Sequence, residues 1–394
     1  MVLSAILLAL AARSAAPSDA AADSLARDLA SLRRRTAAVT PDSAGARKLA
    51  SELGRIGQGY LDAGETGRAV ELLEEAYGWD EENGLVLASL TLAYLRQENF
   101  PFARFYLELA EQRAPEAPPD VYASLGEVYY GLNRLDDAIL AWEQFERLAG
   151  SDPGVLRRLA RARAELSLTR GQRLLESPSF TIYSEEGIAV DAVERIAARL
   201  EDSYREQSAF FERRFDAPQV VVLYGGREYF SLVSIPDWVG GVFDGKIRVS
   251  MDPAQGVTPA LEGVLSHELA HALVRSVSAD RAPGWLHEGI AQWLEGKRIS
   301  PHELRQAFAG GRKPVSLSEM NGSLGRRSDR AAARTLYGQA LGLVEYLIQS
   351  RGTGALVCLL RDLAGGQSIE DALRAEAGTT PAAFVADWRR WAGL

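Results

Sequence analysis

Ser266-His267-Glu268-Leu269-Ala270-His271 is the stretch whose reading decides the fold of the second half of this chain. It sets two histidines four apart within a run, Leu261 to Val274, that predicts a helix. Positions i and i+4 share a helix face, so His267 and His271 present two imidazoles to one metal ion. Glu268 follows the first histidine, where its carboxylate reaches a water held by the metal rather than the metal itself. A zinc ion with three protein ligands keeps one position open and lowers the pKa of its water to about 7. The pattern points to hydrolysis of a peptide bond by that water. Only 4 of the 394 residues are histidine, and two of them form this motif. The bland alternative is a pair of histidines on a buried helix face with polar partners.

Downstream, Pro283-Gly284-Trp285-Leu286-His287-Glu288-Gly289-Ile290-Ala291-Gln292-Trp293-Leu294-Glu295 predicts a second helix with Trp285, Leu286, Ile290, Trp293 and Leu294 on its apolar face. His287 and Glu288 both offer a third ligand. The sixteen residues between His271 and Glu288 suffice for the first helix to finish, turn and return antiparallel. A third histidine at the short H-E-x-x-H-x-x-G-x-x-H spacing is absent. Glu288 is favoured, because the small Gly289 and Ala291 beside it allow close helix approach. A first-turn carboxylate favoured by the helix dipole is the alternative.

His267-Glu268-Leu269-Ala270-His271, followed by Pro283-Gly284-Trp285-Leu286-His287-Glu288-Gly289-Ile290-Ala291, resembles the gluzincin metallopeptidases, specifically the bacterial peptidase MA-like domain. The resemblance spans about residues 179–394. It implies one zinc ion per chain, ligated by His267, His271 and Glu288, with Glu268 as general base. Many relatives carry an acid four residues after the glutamate ligand; this chain has Gln292, whose amide oxygen can still accept from a ligating histidine. The resemblance also suggests a catalytic tyrosine: Tyr337, in Thr335-Leu336-Tyr337-Gly338-Gln339-Ala340, would aim its phenol at the developing oxyanion. A tyrosine at the edge of the core of an amphipathic helix fits the same residues.

Gln219-Val220-Val221-Val222-Leu223-Tyr224 predicts a strand. Gly240 to Ser250 predicts a glycine-led strand pair with Asp244-Gly245 at its turn. Zincin folds place an edge strand beside the metal, where an extended peptide can add a strand.

The first half follows another rhythm. Tyr60, Tyr94 and Tyr129 recur at spacings of 34 and 35. Ala69, Ala103 and Ala138 follow nine residues after each tyrosine, and Leu73, Leu107 and Trp142 thirteen after. Ala76 and Ala110 lie sixteen beyond, with Phe145 in the third unit; Pro115 and Pro153 close units. This period resembles the tetratricopeptide repeat, a helix pair per unit. Three repeats span 48–152, and Arg157 to Leu168 is the capping helix. Such an array offers a groove for a partner protein or peptide, or serves as a spacer.

Val2 to Ala11 is apolar but too short to span a bilayer. With the small residues Ala15-Ala16 and Ala20-Ala21 behind it, the segment resembles a secretory signal peptide, although it lacks a leading Lys or Arg. Export to the periplasm, cell envelope or medium follows from that reading; cytoplasmic retention follows if the segment is not processed. No further run of 18 apolar residues exists, and no cysteine follows this one to take a lipid anchor. A net charge of −9 argues against nucleic acid or an anionic membrane as the main partner. Arg33-Arg34-Arg35 and Arg326-Arg327 read as solvated faces. The single cysteine, Cys358, reads as a small buried hydrophobe and excludes an intrachain disulfide. Ser300-Pro301-His302-Glu303 predicts a capping-box helix start with His302 exposed.

These observations define an α+β multidomain chain. A signal peptide over 1–20 precedes a linker or extra helix over 21–47. An all-α tetratricopeptide superhelix with its capping helix occupies 48–168, and an α+β zincin, gluzincin-like domain occupies 169–394. The expected activity is that of a zinc endopeptidase whose repeats recruit substrate or partner. The competing expectation is an interaction scaffold with a zinc-binding, weakly active domain.

Overall fold

The computed structural model describes residues 19–35, 44–62, 65–96, 100–113, 119–169, 171–215, 218–309, 313–320 and 330–394. The apolar leader up to Ala11, the small residues Ala15-Ala16, Pro115 and Arg326-Arg327 lie outside them. The chain divides into two compact units, Met1–Arg170 and Gly171–Leu394.

The first unit is helical throughout its described residues: α1 (Asp19–Arg35), α2 (Ala44–Asp62), α3 (Thr66–Trp79), α4 (Gly84–Arg96), α5 (Phe100–Arg113), α6 (Pro119–Gly131), α7 (Leu135–Ala149) and α8 (Pro153–Thr169). Its closest packing joins α2 to α3, α4 to α5 and α6 to α7. The recurring residues explain that pairing. Tyr60, Tyr94 and Tyr129 are buried, as are Ala69, Ala103 and Ala138, and Leu73, Leu107 and Trp142. Small residues at fixed offsets let large ones from the neighbouring helix enter, so the same contact repeats along the chain. Helix α8 starts four residues before the expected Arg157, because Asp152 accepts from the N–H groups of Gly154 and Val155 at 2.7 and 2.9 Å.

The second unit wraps helices around a five-stranded sheet. Its strands are β1 (Arg173–Glu176), β2 (Phe180–Ser184), β3 (Gln219–Tyr224), β4 (Gly241–Phe243) and β5 (Ile247–Ser250), in the order β1-β2-β3-β5-β4. The two inner pairings, β2–β3 and β3–β5, are parallel, and the two outer ones are antiparallel. Helix α9 (Val190–Phe211) makes the β2-to-β3 crossover, and α10 (Glu228–Leu232) follows β3. Side chains alternate across the sheet. Val221, Leu223, Ile247 and Val249 enter the main core, while Tyr224 stacks on Tyr229 of α10, ring centroids 4.7 Å apart.

Two features on that second face hold the β4–β5 hairpin. Gly245 takes a positive φ of 101° at the turn, which a side chain resists. Arg248 is fully buried, with Nε donating to Asp244 at 3.0 Å and Nη1 to the Tyr224 hydroxyl at 2.7 Å. Its guanidinium also lies 4.5 Å from the centre of the Tyr229 ring. A buried guanidinium paired to Asp244 and Tyr224 pins the hairpin against β3.

The remaining elements are helices: α11 (Pro259–Ser278), α12 (Gly284–Leu294), α13 (Pro301–Ala307), α14 (Arg330–Arg351), α15 (Thr353–Ala364), α16 (Ile369–Ala377) and α17 (Pro381–Ala392). Thr258 caps α11, its side chain accepting from Leu261 N, with Pro259 in the first turn. The capping box at Ser300 and Glu303 forms in full, and His302 is exposed. Trp285 and Trp388 are fully buried, anchoring α12 and α17. One expectation is corrected here. Cys358 is exposed rather than buried. Leu356, Val357, Leu359, Leu360 and Leu363 form the buried stripe of α15, and Cys358 falls on the opposite side.

Candidate metal centre

The centre forms where α11 and α12 cross. Helix α11 carries His267 and His271 on one face, and α12 brings Glu288 to them. Their nearest ligand atoms converge: His267 Nε2 lies 3.2 Å from His271 Nε2 and 3.6 Å from Glu288 Oε2, and His271 Nε2 lies 3.8 Å from Glu288 Oε2. Tetrahedral zinc with bonds of about 2.0–2.1 Å sets its ligand atoms about 3.3 Å apart, so the three atoms stand at the right spacing. Glu288 Oε2 is buried and accepts no hydrogen bond among the described residues. A buried carboxylate oxygen left in that state, facing two imidazole nitrogens, fits a cation between them.

Close packing makes this approach. An ideal Cβ on Gly289 would lie 2.5 Å from the Ala340 carbonyl oxygen of α14 and 2.6 Å from Val344 Cγ2. With no side chain there, α12 settles directly on α14. From the other side, Gln207 of α9 donates to Ser266 O and Oγ, both at 3.0 Å, fixing the turn of α11 that carries His267.

Glu268 is buried beneath the edge strand β4. An ideal Cβ on Gly241 would meet Glu268 Cγ at 2.7 Å, so glycine is required for β4 to lie over the base. Burial pushes the Glu268 carboxyl up to about 8, helped by the charges of Glu288, Glu295 and Asp244 and opposed by His267. Burial by itself would lower His267, but pairing with Glu288 and Glu295 lifts it to about 10. Burial holds His271 down to about 3, with repulsion from His267 and His287. Burial would raise Glu288, yet its contact with His267 and the charge of His271 hold it below the usual carboxylate range. Three carboxyl groups thus gather around two imidazoles, a donor set that suits a cation.

Tyr337 lies on α14, and its hydroxyl pKa is raised by burial and then by the charges of Glu288 and Glu268. His287, the other candidate ligand, is set apart: its ring centre lies 5.7 Å from that of His271. Burial, with repulsion from Arg275, lowers it to about 4.

Gln292, whose amide oxygen was open to a ligating histidine, has its amide nitrogen turned to other partners. Its Nε2 donates to Glu288 O at 3.1 Å and to Tyr337 O at 3.0 Å, tying α12 to α14. The partner of His267 Nδ1 is instead Glu295 Oε2, at 3.0 Å, and Lys297 Nζ approaches the same oxygen at 2.8 Å. Sequence reasoning missed Glu295, although its position seven residues after Glu288 repeats the same helix face two turns on.

A family model described as the Peptidase MA superfamily matches residues 214–393. The match supports an MA-clan, peptidase-like domain over those residues, and peptidases of this clan are typically zinc-dependent. No curated protein matches the chain.

Proposed function

We propose that the chain is a zinc-dependent metallopeptidase with endopeptidase action. The observation that carries this reading is the convergence of His267 Nε2, His271 Nε2 and Glu288 Oε2 beside the buried carboxylate of Glu268. His267, His271 and Glu288 would hold one zinc ion, which when bound supplies Lewis acidity to water and to the scissile carbonyl. Glu268 takes the proton from the attacking water and delivers it to the leaving amine. Tyr337 contributes a hydrogen bond to the oxyanion. Strand β4, at the sheet edge, aligns an extended substrate backbone over Glu268.

The helix pairs of the first unit act as a tetratricopeptide array that recruits a protein substrate or partner. Phe102 and Phe105 support this, since both stand about half exposed on α5, at 50% and 49%. The same two residues support the second reading, an interaction scaffold whose zinc site turns over little. Among the described residues no helix is long and apolar enough to cross a membrane. Export follows if the apolar leader is cleaved, which the mature N-terminus of secreted protein would reveal.

Elemental analysis and cleavage of a peptide library, with and without chelator, test the proposal. The expected result is one zinc per chain and chelator-sensitive cleavage. Glu268→Gln keeps the metal and loses about 10²–10⁴-fold in rate. Zinc uptake with no cleavage of any peptide selects the scaffold reading; zinc affinity unchanged in His271→Ala refutes the ligand set.

A further inference from the structure

We propose that Glu295, clamped by Lys297, is a positioning residue that fixes the ring of His267 for metal binding. The inference rests on the zinc reading above and adds a part to it. Imidazole can bind a metal through either nitrogen, and the hydrogen bond at one nitrogen decides which lone pair is offered at the other. Here His267 Nδ1 faces Glu295 Oε2 at 3.0 Å. A carboxylate accepts only, so Nδ1 carries the proton and donates it. In the neutral ring that metal binding requires, the lone pair then sits on Nε2, the atom that faces His271 and Glu288. The same contact stops the ring from flipping.

Three further observations show that this carboxylate is held in place. Lys297 Nζ stands 2.8 Å from the oxygen that His267 uses, so the acceptor keeps its charge and its orientation. Gly263, one turn before His267 on α11, leaves room for it: an ideal Cβ there would lie 3.3 Å from Glu295 Oε1 and 3.6 Å from its Cγ. Glu295 caps the C-terminus of α12, seven residues after Glu288, so one helix delivers both a ligand and the partner of another ligand. The carboxylate lines a polar recess with Arg199, Gln207, Glu262, Gly263 and Ser266. No part of this arrangement touches a substrate, so its effect is on metal affinity and ring orientation.

The test compares zinc affinity of the full chain with that of Glu295→Ala, Glu295→Gln and Lys297→Met, by competition with a chromogenic chelator. Far-UV circular dichroism and melting of the metal-free proteins run beside it, and visible absorption after cobalt substitution reports ligand geometry. Removing a partner of this kind weakens metal binding by about 10–100-fold, the loss expected for Glu295→Ala with secondary structure intact. Glu295→Gln recovers part of that loss, because its amide oxygen still accepts from Nδ1. Lys297→Met shows a smaller loss in the same direction. If Glu295→Ala does not fold, Glu295→Gln carries the test through a weakened affinity and a shifted cobalt spectrum. Zinc affinity and cobalt spectrum unchanged in both Glu295 variants overturn the positioning role while leaving the ligand set standing. A parent chain that takes up no zinc overturns the metal reading itself and this inference with it.

Discussion

Gly289→Ala puts the packing behind the metal centre to its sharpest test. The substitution adds one methyl group where α12 rests on α14. Its Cβ would stand 2.5 Å from Ala340 O, 2.6 Å from Val344 Cγ2 and 2.9 Å from Ala340 C. A flexible side chain could yield, but a helix carbonyl cannot, and valine in a helix is held to one rotamer. An ordinary carbon–oxygen approach is about 3.3 Å, so against the 2.5 Å available here α12 must retreat by about 0.8 Å. Overpacking of this kind costs about 1–3 kcal/mol, and a backbone collision belongs at the upper end. The better helix propensity of alanine returns about 1 kcal/mol. The net loss is about 2 kcal/mol, or about 4–8 °C of melting temperature in a domain of this size. Glu288 is the adjacent residue and moves with the helix. Metal–ligand distances tolerate about 0.2 Å, so the same retreat should weaken zinc binding about tenfold or more. Calorimetry of the metal-free chain and chelator competition measure the two effects separately. A variant that melts with the parent and binds zinc equally would refute the claim that this contact sets the position of Glu288.

Gly241→Ala should retain zinc but lose about a hundredfold in turnover, because its Cβ would press on Glu268 Cγ at 2.7 Å and on Val264 Cγ1 at 2.8 Å; steady-state cleavage with metal analysis checks this, and normal turnover would show that β4 does not lie over the base. Acid should weaken the metal-free fold through His287. Its folded pKa of about 4 is depressed from 6.5, so its contribution is complete above pH 6.5 and declines as pH falls toward 4. The slope is about 1.4 kcal/mol per pH unit while the unfolded chain binds one more proton. Urea titrations at several pH values should show a shallower acid decline in His287→Asn, and parallel declines would remove His287 from the account. A chain beginning at Gly171 should fold cooperatively and bind zinc as the full chain does, since that residue opens the second compact unit; an unfolded product would place the boundary elsewhere.

The parts of the centre that were legible in the sequence share one property: their geometry is local. His267, Glu268 and His271 lie within five residues of one helix, so the 3.6-residue period alone puts both imidazoles on one face. Glu288 was favoured because Gly289 and Ala291 are small, and the 2.5 Å approach to Ala340 O is the physical form of that argument. Strand β3 keeps the bounds of its β-branched run, Gln219–Tyr224. What escaped notice depends on neighbours distant in sequence. Gln292 and Glu295 are both polar residues near the end of α12, and only the rotation of that helix against α11 and α14 decides which one meets His267. Arg248 read as a strand residue, yet it is buried through Asp244, Tyr224 and Tyr229. Cys358 was misjudged because its run is almost wholly apolar, which hides the helical stripe from composition.

Strand β4 has a consequence for solubility. A free strand edge is an invitation to neighbouring copies of the same chain, and long flat edges seed aggregates. This edge is three residues long, starts at Gly241 and ends at the turn containing Gly245. It can offer a passing strand only a couple of main-chain hydrogen bonds, too few to hold two folded copies together. A segment drawn over Glu268 must therefore gain most of its hold from side chains. Shortness keeps this edge strand from becoming adhesive.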